Sequence, residues 1–213
     1  MKLYDYDAFI FDLDGTLIDS EKYHAQAFAE TVLEQSGYRL TPDEHLEFFG
    51  KHSTWFAMEL NERHGLSLVP DMVLERKRRR VQEIFVAKPF AGARAFLELW
   101  KGKKPMALAT NSPRSFVEPA LKEAELLQYF DCITTADEVS HRKPDPEMIE
   151  RTLQKLQVDP LKTLVFEDQA IGVQAARAAG ACVVVVDNGQ TAGFPVDVTT
   201  HTWQELIQLA EDG

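Results

Sequence analysis

Long apolar runs are missing from this chain of 213 residues. None approaches the roughly 18 or more consecutive residues of a membrane span, so no membrane partner is expected. Cysteine is nearly missing too. Cys132 and Cys182 are the only two, each among apolar or β-branched neighbours in predicted strands, which reads as two buried thiols and not a disulfide or a zinc site. The six histidines fall in no ligand spacing. Positive charge is also short, with 23 Lys and Arg against 34 Asp and Glu for a net charge of −11. That excludes nucleic acid as an expected partner, because such binders need basic surface to displace counterions. An anionic substrate would have to be drawn in by local positive groups against the overall field. Repeats and low-complexity segments are absent. Met1-Lys2-Leu3-Tyr4-Asp5-Tyr6-Asp7 is acidic and aromatic, unlike a secretory signal, and a soluble cytoplasmic protein is the expectation.

What is present is ordinary globular material, 45% hydrophobic and 27% charged, enough for one domain or for a core with a sizeable insertion. One basic run interrupts the acidity. Arg76-Lys77-Arg78-Arg79-Arg80 spans more than a helical turn, so it reads as a solvated helix face pairing with Glu75 and Glu83. The alternative is that part of it attracts phosphate to an active site.

The stretch from Ala8 to Ser20 organises the rest. Ala8-Phe9-Ile10-Phe11 is the apolar run of a strand covered on both faces, and it leads straight into Asp12-Leu13-Asp14-Gly15-Thr16. If the strand continued, a spacing of two would put both carboxylates on one side, with Gly15 allowing a sharp turn. Neighbouring like charges raise each other's pKa, and a hard cation such as Mg²⁺ relieves this. An acidic turn is the plain alternative. A calcium loop is disfavoured, because the glycine follows the second aspartate at once and no glutamate stands at the required distance.

Four helices follow. Tyr23, Ala27, Phe28 and Val32 recur at helical spacing over 21–35, before Gly37. Thr41-Pro42-Asp43-Glu44 has the form of a capping box, opening a helix that ends near Gly50. Ser53 or Thr54 caps the next, which stops near Gly65, and a fourth runs from Asp71 to Phe85. Residues 19–87 are therefore expected as a helical insertion. Beyond the Pro- and Gly-bearing linker Lys88–Gly92, helices over 93–100, 116–124, 148–156 and 170–179 alternate with strands at 105–110, 132–135, 163–166 and 182–186. The fold class is α/β, a parallel sheet with helices on both faces built from residues 1–18 and 88–213.

Three further strand ends carry polar residues. At Thr110-Asn111-Ser112-Pro113 a hydroxyl and a helix N-terminus can hold a phosphate oxygen, or else Asn111 and Ser112 simply cap a helix. In His141-Arg142-Lys143-Pro144-Asp145-Pro146 two prolines restrain a loop that presents Lys143, either to offset the carboxylates or as a surface lysine. Glu167 and Asp168 end another apolar strand, where Asp168 can complete a metal site begun by Asp12 and Asp14, with Glu167 a further ligand; helix capping explains the same acids.

Taken in order, these groups closely resemble the four motifs of the haloacid dehalogenase superfamily: Asp12 to Thr16, Thr110, Lys143, and Glu167-Asp168. The resemblance covers essentially the whole chain. It implies a Rossmann-like core with a small all-α cap, and within the superfamily it is similar to the β-phosphoglucomutase and sugar-phosphatase group. Gly50-Lys51-His52-Ser53-Thr54-Trp55 and Lys103-Lys104-Pro105-Met106-Ala107 are similar to fructose-1-phosphatase-like members. Gln169 stands where many members have serine.

The resemblance implies that Asp12 attacks phosphorus to form an aspartyl-phosphate and that Asp14 protonates the leaving alkoxide. Thr110, Asn111 and Ser112 would hold phosphoryl oxygens, Lys143 would neutralise their charge, and Mg²⁺ would bind Asp12, the backbone carbonyl of Asp14, Asp168 and Glu167. His24, Lys51, His52 and Trp55 are candidate specificity residues, or else packing and surface residues. The expected partner is a small phosphorylated metabolite, and a monomer is compatible with the sequence. A phosphatase is the first expectation and a phosphomutase the second. The third, from another class, is a catalytically silent binding module.

Overall fold

The computed structural model describes residues 2–48, 51–188 and 199–212. The chain divides into two compact units, one of residues 1–19 and 87–213 and the other of residues 20–86.

The first unit holds a six-stranded parallel sheet in the order β3-β2-β1-β4-β5-β6, the strand pattern of doubly wound α/β folds. Its strands are β1 (Ala8–Phe11), β2 (Met106–Ala109), β3 (Cys132–Thr134), β4 (Thr163–Glu167), β5 (Cys182–Val186) and β6 (Thr200–His201). β1 and β2 are buried along their whole length, as their unbroken apolar runs predict, and so is β4, including the polar residues Thr163 and Glu167 at its ends. β1 lies between β2 and β4, with Ile10 level with Ala107 on one side and Val165 on the other. The chain winds outward from β1 to β3, then returns to place β4 on the opposite flank. Such a reversal opens a crevice at the carboxyl ends of the central strands.

Rings pack one face. Phe11 stacks on Phe166 with centroids 4.6 Å apart, and Trp203 stacks on Phe166 at 5.8 Å. Ile10, Ala107, Val165, Ala175 and Ala176 share another cluster, where small residues bring a helix close to the sheet.

Between the strands run α5 (Ala93–Trp100), α6 (Arg114–Glu123), α7 (Glu147–Leu156) and α8 (Ala170–Ala178), with α9 (Trp203–Glu211) after β6. α5 to α8 lie within about two residues of the predicted helices, while β6 and α9 have no predicted counterpart. α9 nevertheless carries its own signal, a capping box in which the Thr202 hydroxyl accepts from the Glu205 N–H.

Two expectations about this unit are corrected. β1 stops at Phe11, so Asp12 and Asp14 do not share one face of a continuing strand. The chain instead folds back, Gly15 at φ 82° donating its N–H to the Ile18 carbonyl at 3.0 Å. The cysteines are free but only partly buried. Each opens its strand, and Cys132 lies in the edge strand β3, where cover is thinner.

The second unit is all helix among its described residues: α1 (Glu21–Ser36), α2 (Pro42–Phe48), α3 (Ser53–His64) and α4 (Pro70–Ile84). Phe28, Phe48 and Phe56 form its centre, the first two stacked at 4.2 Å. The capping box at Thr41 forms, the Thr41 N–H donating to Glu44 at 2.8 Å. The end expected near Gly50 lies outside the described residues. Neither Ser53 nor Thr54 caps α3; His52 holds the cap position, and its ring shares a hydrogen bond with the Thr54 hydroxyl at 2.8 Å. On α4, Arg79 pairs with Glu75 at 3.1 Å, and Arg80 pairs with Glu83 at 2.9 Å and with Glu30 of α1 at 2.6 Å.

Candidate active site

The carboxyl ends of β1, β2 and β4 bring the chemistry together. Asp12 follows β1 directly, its N–H donating to the Phe166 carbonyl at 3.0 Å, so its backbone is fixed by the neighbouring strand. Glu167 is the last residue of β4 and is buried. Lys143 enters from a loop, and its buried ammonium has three partners: Asp12 Oδ1 at 2.8 Å, the Ala109 carbonyl at 2.7 Å, and Glu167 Oε1. An ammonium has three hydrogens, and here all are engaged.

Asp12, Glu167 and Asp168 each offer a carboxylate oxygen within 4.8 Å of the others. Thr16 orients the last of these, its hydroxyl donating to Asp168 Oδ1 at 2.8 Å. Two glycines make room for the acids. A Cβ on Gly15 would fall on the Asp168 carboxylate, and one on Gly172 would fall on that of Glu167.

Charge does not balance within this group. Burial pushes the Asp12 carboxyl well above the ordinary carboxylate range, Lys143 pulls it back, and the charges of Glu167 and Asp14 raise it further. For Lys143, burial acts to lower the pKa, but Asp12 and Glu167 outweigh it and hold the ammonium above its ordinary value. Lys143 thus offsets Asp12 and Glu167, and Asp168 adds a third carboxylate beside them. A hard divalent ion with oxygen ligands fits both the surplus negative charge and the donor set.

Asp14 turns elsewhere. Its Oδ2 accepts from the Ser112 hydroxyl at 2.6 Å, and its carboxylate lies outside the three-acid group. Thr110 is buried, and its hydroxyl accepts from the Ser112 N–H at 3.0 Å. Asn111 faces Lys143: its Oδ1 accepts from the Lys143 N–H at 3.0 Å, and its Nδ2 donates to the Lys143 carbonyl at 3.3 Å. The alternative reading of Asn111 and Ser112 as ordinary helix caps is therefore corrected. α6 begins behind Pro113 with no side-chain cap from that residue, and its first N–H, that of Arg114, donates to Asp137 at 2.7 Å.

The remaining candidates belong to the helical unit. His24 is half-buried on α1. The Lys51 ammonium sits 4.8 Å from the centre of the Trp55 ring and 3.4 Å from Glu59, while Trp55 is 52% exposed. His52 is exposed.

Asn188 and Trp203 are not among the candidates that the sequence offers. Asn188 Nδ2 donates to the Gly15 carbonyl at 2.8 Å, and the Trp203 indole N–H donates to the Thr16 carbonyl at 3.1 Å. Both hold the turn that follows Asp12. Asn188 stands just beyond β5, so the rule that drew attention to the other strand ends would have found it. Nothing local marks Trp203, whose partner is 187 positions away.

A family model described as haloacid dehalogenase-like hydrolase matches residues 9–186. Fructose-1-phosphate phosphatase YqaB of Escherichia coli is 33% identical over 177 residues, covering 82% of this chain and 93% of that protein. The phosphorylated carbohydrates phosphatase of Thermotoga maritima is 36% identical over 179 residues, covering 82% of each. A HAD family hydrolase from Deinococcus radiodurans R1, solved with bound phosphate and sodium, superposes with a TM-score of 0.79 at 26% identity, covering 97% of this chain and 96% of that one.

Proposed function

Because the chain belongs to the haloacid dehalogenase-like hydrolase family, we propose that it is a magnesium-dependent phosphatase of a small sugar phosphate resembling fructose 1-phosphate. The observation that carries this reading is the Lys143 ammonium holding one oxygen of Asp12 at 2.8 Å beside two further acids. Oδ1 is engaged, leaving Oδ2 as the attacking atom. A carboxylate needs no base to become a nucleophile once it is ionised, and the neighbouring ammonium favours that form.

In the first step Asp12 Oδ2 forms a bond to phosphorus as the bond from phosphorus to the sugar oxygen breaks. Asp14 gives its proton to that oxygen. In the second step water attacks phosphorus, Asp14 takes a proton from it, and the bond from Asp12 to phosphorus breaks. Phosphate leaves and both acids return to their starting state. The Thr110 hydroxyl, which accepts from the Ser112 N–H, has its own hydrogen to donate to a phosphoryl oxygen. Lys143 contributes charge and orientation, since its three hydrogens are already engaged. Asp12, Asp168, Glu167 and the Asp14 carbonyl would hold Mg²⁺, which when bound supplies positive charge to the phosphoryl group.

Residues 20–86 are the proposed cap, choosing the leaving group through residues such as His24, Lys51, His52 and Trp55. The names of the Escherichia coli and Thermotoga maritima relatives support a phosphorylated sugar as substrate. The test is a panel of sugar phosphates assayed with Mg²⁺ for phosphate release and for isomerisation of glucose 1-phosphate. Phosphate release that EDTA stops and Mg²⁺ restores is the expected result. Isomerisation without release would make the protein a mutase, and inactivity across the panel would leave a silent binding module.

A further inference from the structure

We propose that Asn111 is a positioning residue for Lys143 and that its side chain does not hold the phosphoryl group. The inference rests on the phosphatase reading for its consequence in turnover, while its geometry stands apart from that reading. A primary amide has an accepting oxygen and a nitrogen with two hydrogens to donate. Both ends of Asn111 meet the backbone of a single residue, Oδ1 taking the Lys143 N–H at 3.0 Å and Nδ2 giving to the Lys143 carbonyl at 3.3 Å. A two-point clamp of this kind fixes the height and the rotation of the peptide that carries the lysine.

The clamp matters because of what the lysine must do. Its loop carries no regular structure from Val139 to Pro146, so no ladder or helix holds the Lys143 backbone in register with the sheet. Its ammonium nevertheless meets Asp12 Oδ1 at 2.8 Å and the Ala109 carbonyl at 2.7 Å. Ala109 is the last residue of β2, and Asn111 stands two positions beyond it. The lysine is thus held at both ends by the same strand end, its backbone by the Asn111 amide and its ammonium by the Ala109 carbonyl.

The adjoining residue acts on the other acid, Ser112 donating to Asp14 at 2.6 Å while its own N–H goes to Thr110 at 3.0 Å. Helix capping does not compete for Asn111, since the first N–H of α6 is served by Asp137. With its oxygen and one of its two amide hydrogens on the Lys143 backbone, the Asn111 side chain is assigned to acting on the phosphoryl group through that lysine.

A double-mutant cycle of Asn111→Ala with Lys143→Ala separates positioning from direct contact, read as affinity for inorganic phosphate by calorimetry in the presence of Mg²⁺. A positioning role predicts that Asn111→Ala weakens phosphate binding about tenfold when Lys143 is present and has no further effect when it is absent. In turnover kcat falls about tenfold to a hundredfold, with KM moving less. Asn111→Asp, which keeps the shape and the acceptor for the Lys143 N–H, recovers part of the loss and covers the case in which the alanine variant fails to fold. Equal weakening on both backgrounds, or no weakening on either, overturns the proposal. Failure of the wild-type protein to hydrolyse any sugar phosphate would instead remove the phosphatase reading and leave the binding cycle to decide the role of Asn111.

Discussion

Lys143 Nζ stands 2.8 Å from Asp12 Oδ1 across 131 positions of sequence, with both side chains almost fully buried. Removing either partner has opposite consequences for stability, because one cation serves a surplus of acids. Lys143→Met leaves Asp12 and Glu167 buried without it, and should cost about 3–5 kcal/mol as well as turnover. Asp12→Asn should lower turnover by more than about a thousandfold yet raise the melting temperature in EDTA. The Asp12 pKa is raised by burial, so its charged form penalises the metal-free fold. That penalty is absent below the ordinary value of 3.8 and grows as the pH rises toward the elevated one, so the gain from Asn is larger at pH 8 than at pH 4. Melting curves at the two pH values, with and without Mg²⁺, check all of this.

Gly172→Ala should destabilise the protein although alanine favours a helix by about 1 kcal/mol over glycine. The added methyl would occupy the place of the Glu167 carboxylate, which Lys143 and the Asp168 N–H pin from other sides. Relief means breaking those bonds. Denaturant unfolding together with Mg²⁺ titration should show lower stability and weaker metal binding; a stabilised variant would contradict the packing.

Trp203→Phe keeps the aromatic packing on Phe166 and removes the indole N–H that serves the Thr16 carbonyl at 3.1 Å. That carbonyl retains Asn188 Nδ2 at 3.3 Å. The expected cost is about 1–2 kcal/mol, with Mg²⁺ affinity falling as well, because Thr16 also orients Asp168. Equilibrium unfolding and calorimetric Mg²⁺ titration measure the two effects separately.

Glu138 offers a pH test away from the group of Asp12, Glu167 and Asp168. Burial acts to raise its pKa, but hydrogen bonds from Lys155 and Arg114 and from the Thr135 backbone prevail and hold it at about 2, below the ordinary 4.5. A depressed carboxylate stabilises the fold above the unfolded value and loses that contribution as the pH falls through the folded one. Glu138→Gln should therefore cost about 1–2 kcal/mol at pH 7, allowing for partial solvent screening. The difference from wild type should shrink from about pH 4.5 toward pH 2. Urea unfolding across that range reads it directly.

The strand-helix alternation was legible because each buried strand is a short apolar run and each strand end breaks into polar residues. Asp12, Thr110, Lys143, Glu167 and Asp168 stand out as polar groups that such strands do not require. The conformation after Phe11 was not legible, because alternation of faces holds only while the strand lasts, and a hydrogen bond from Gly15 to Ile18 ends it. Trp203 gave no local sign because its role is set by where α9 packs.

By itself the sequence determined which chemical groups end the strands and in what order along the chain, since apolar runs and their interruptions are local properties. Tertiary structure alone decided which atom each group meets. Asn111 reaches Lys143, Ser112 reaches Asp14, and Trp203 reaches Thr16 across 32, 98 and 187 positions. The order of strands in the sheet and the packing of helices against it place those partners side by side, and no spacing along the chain encodes that neighbourhood.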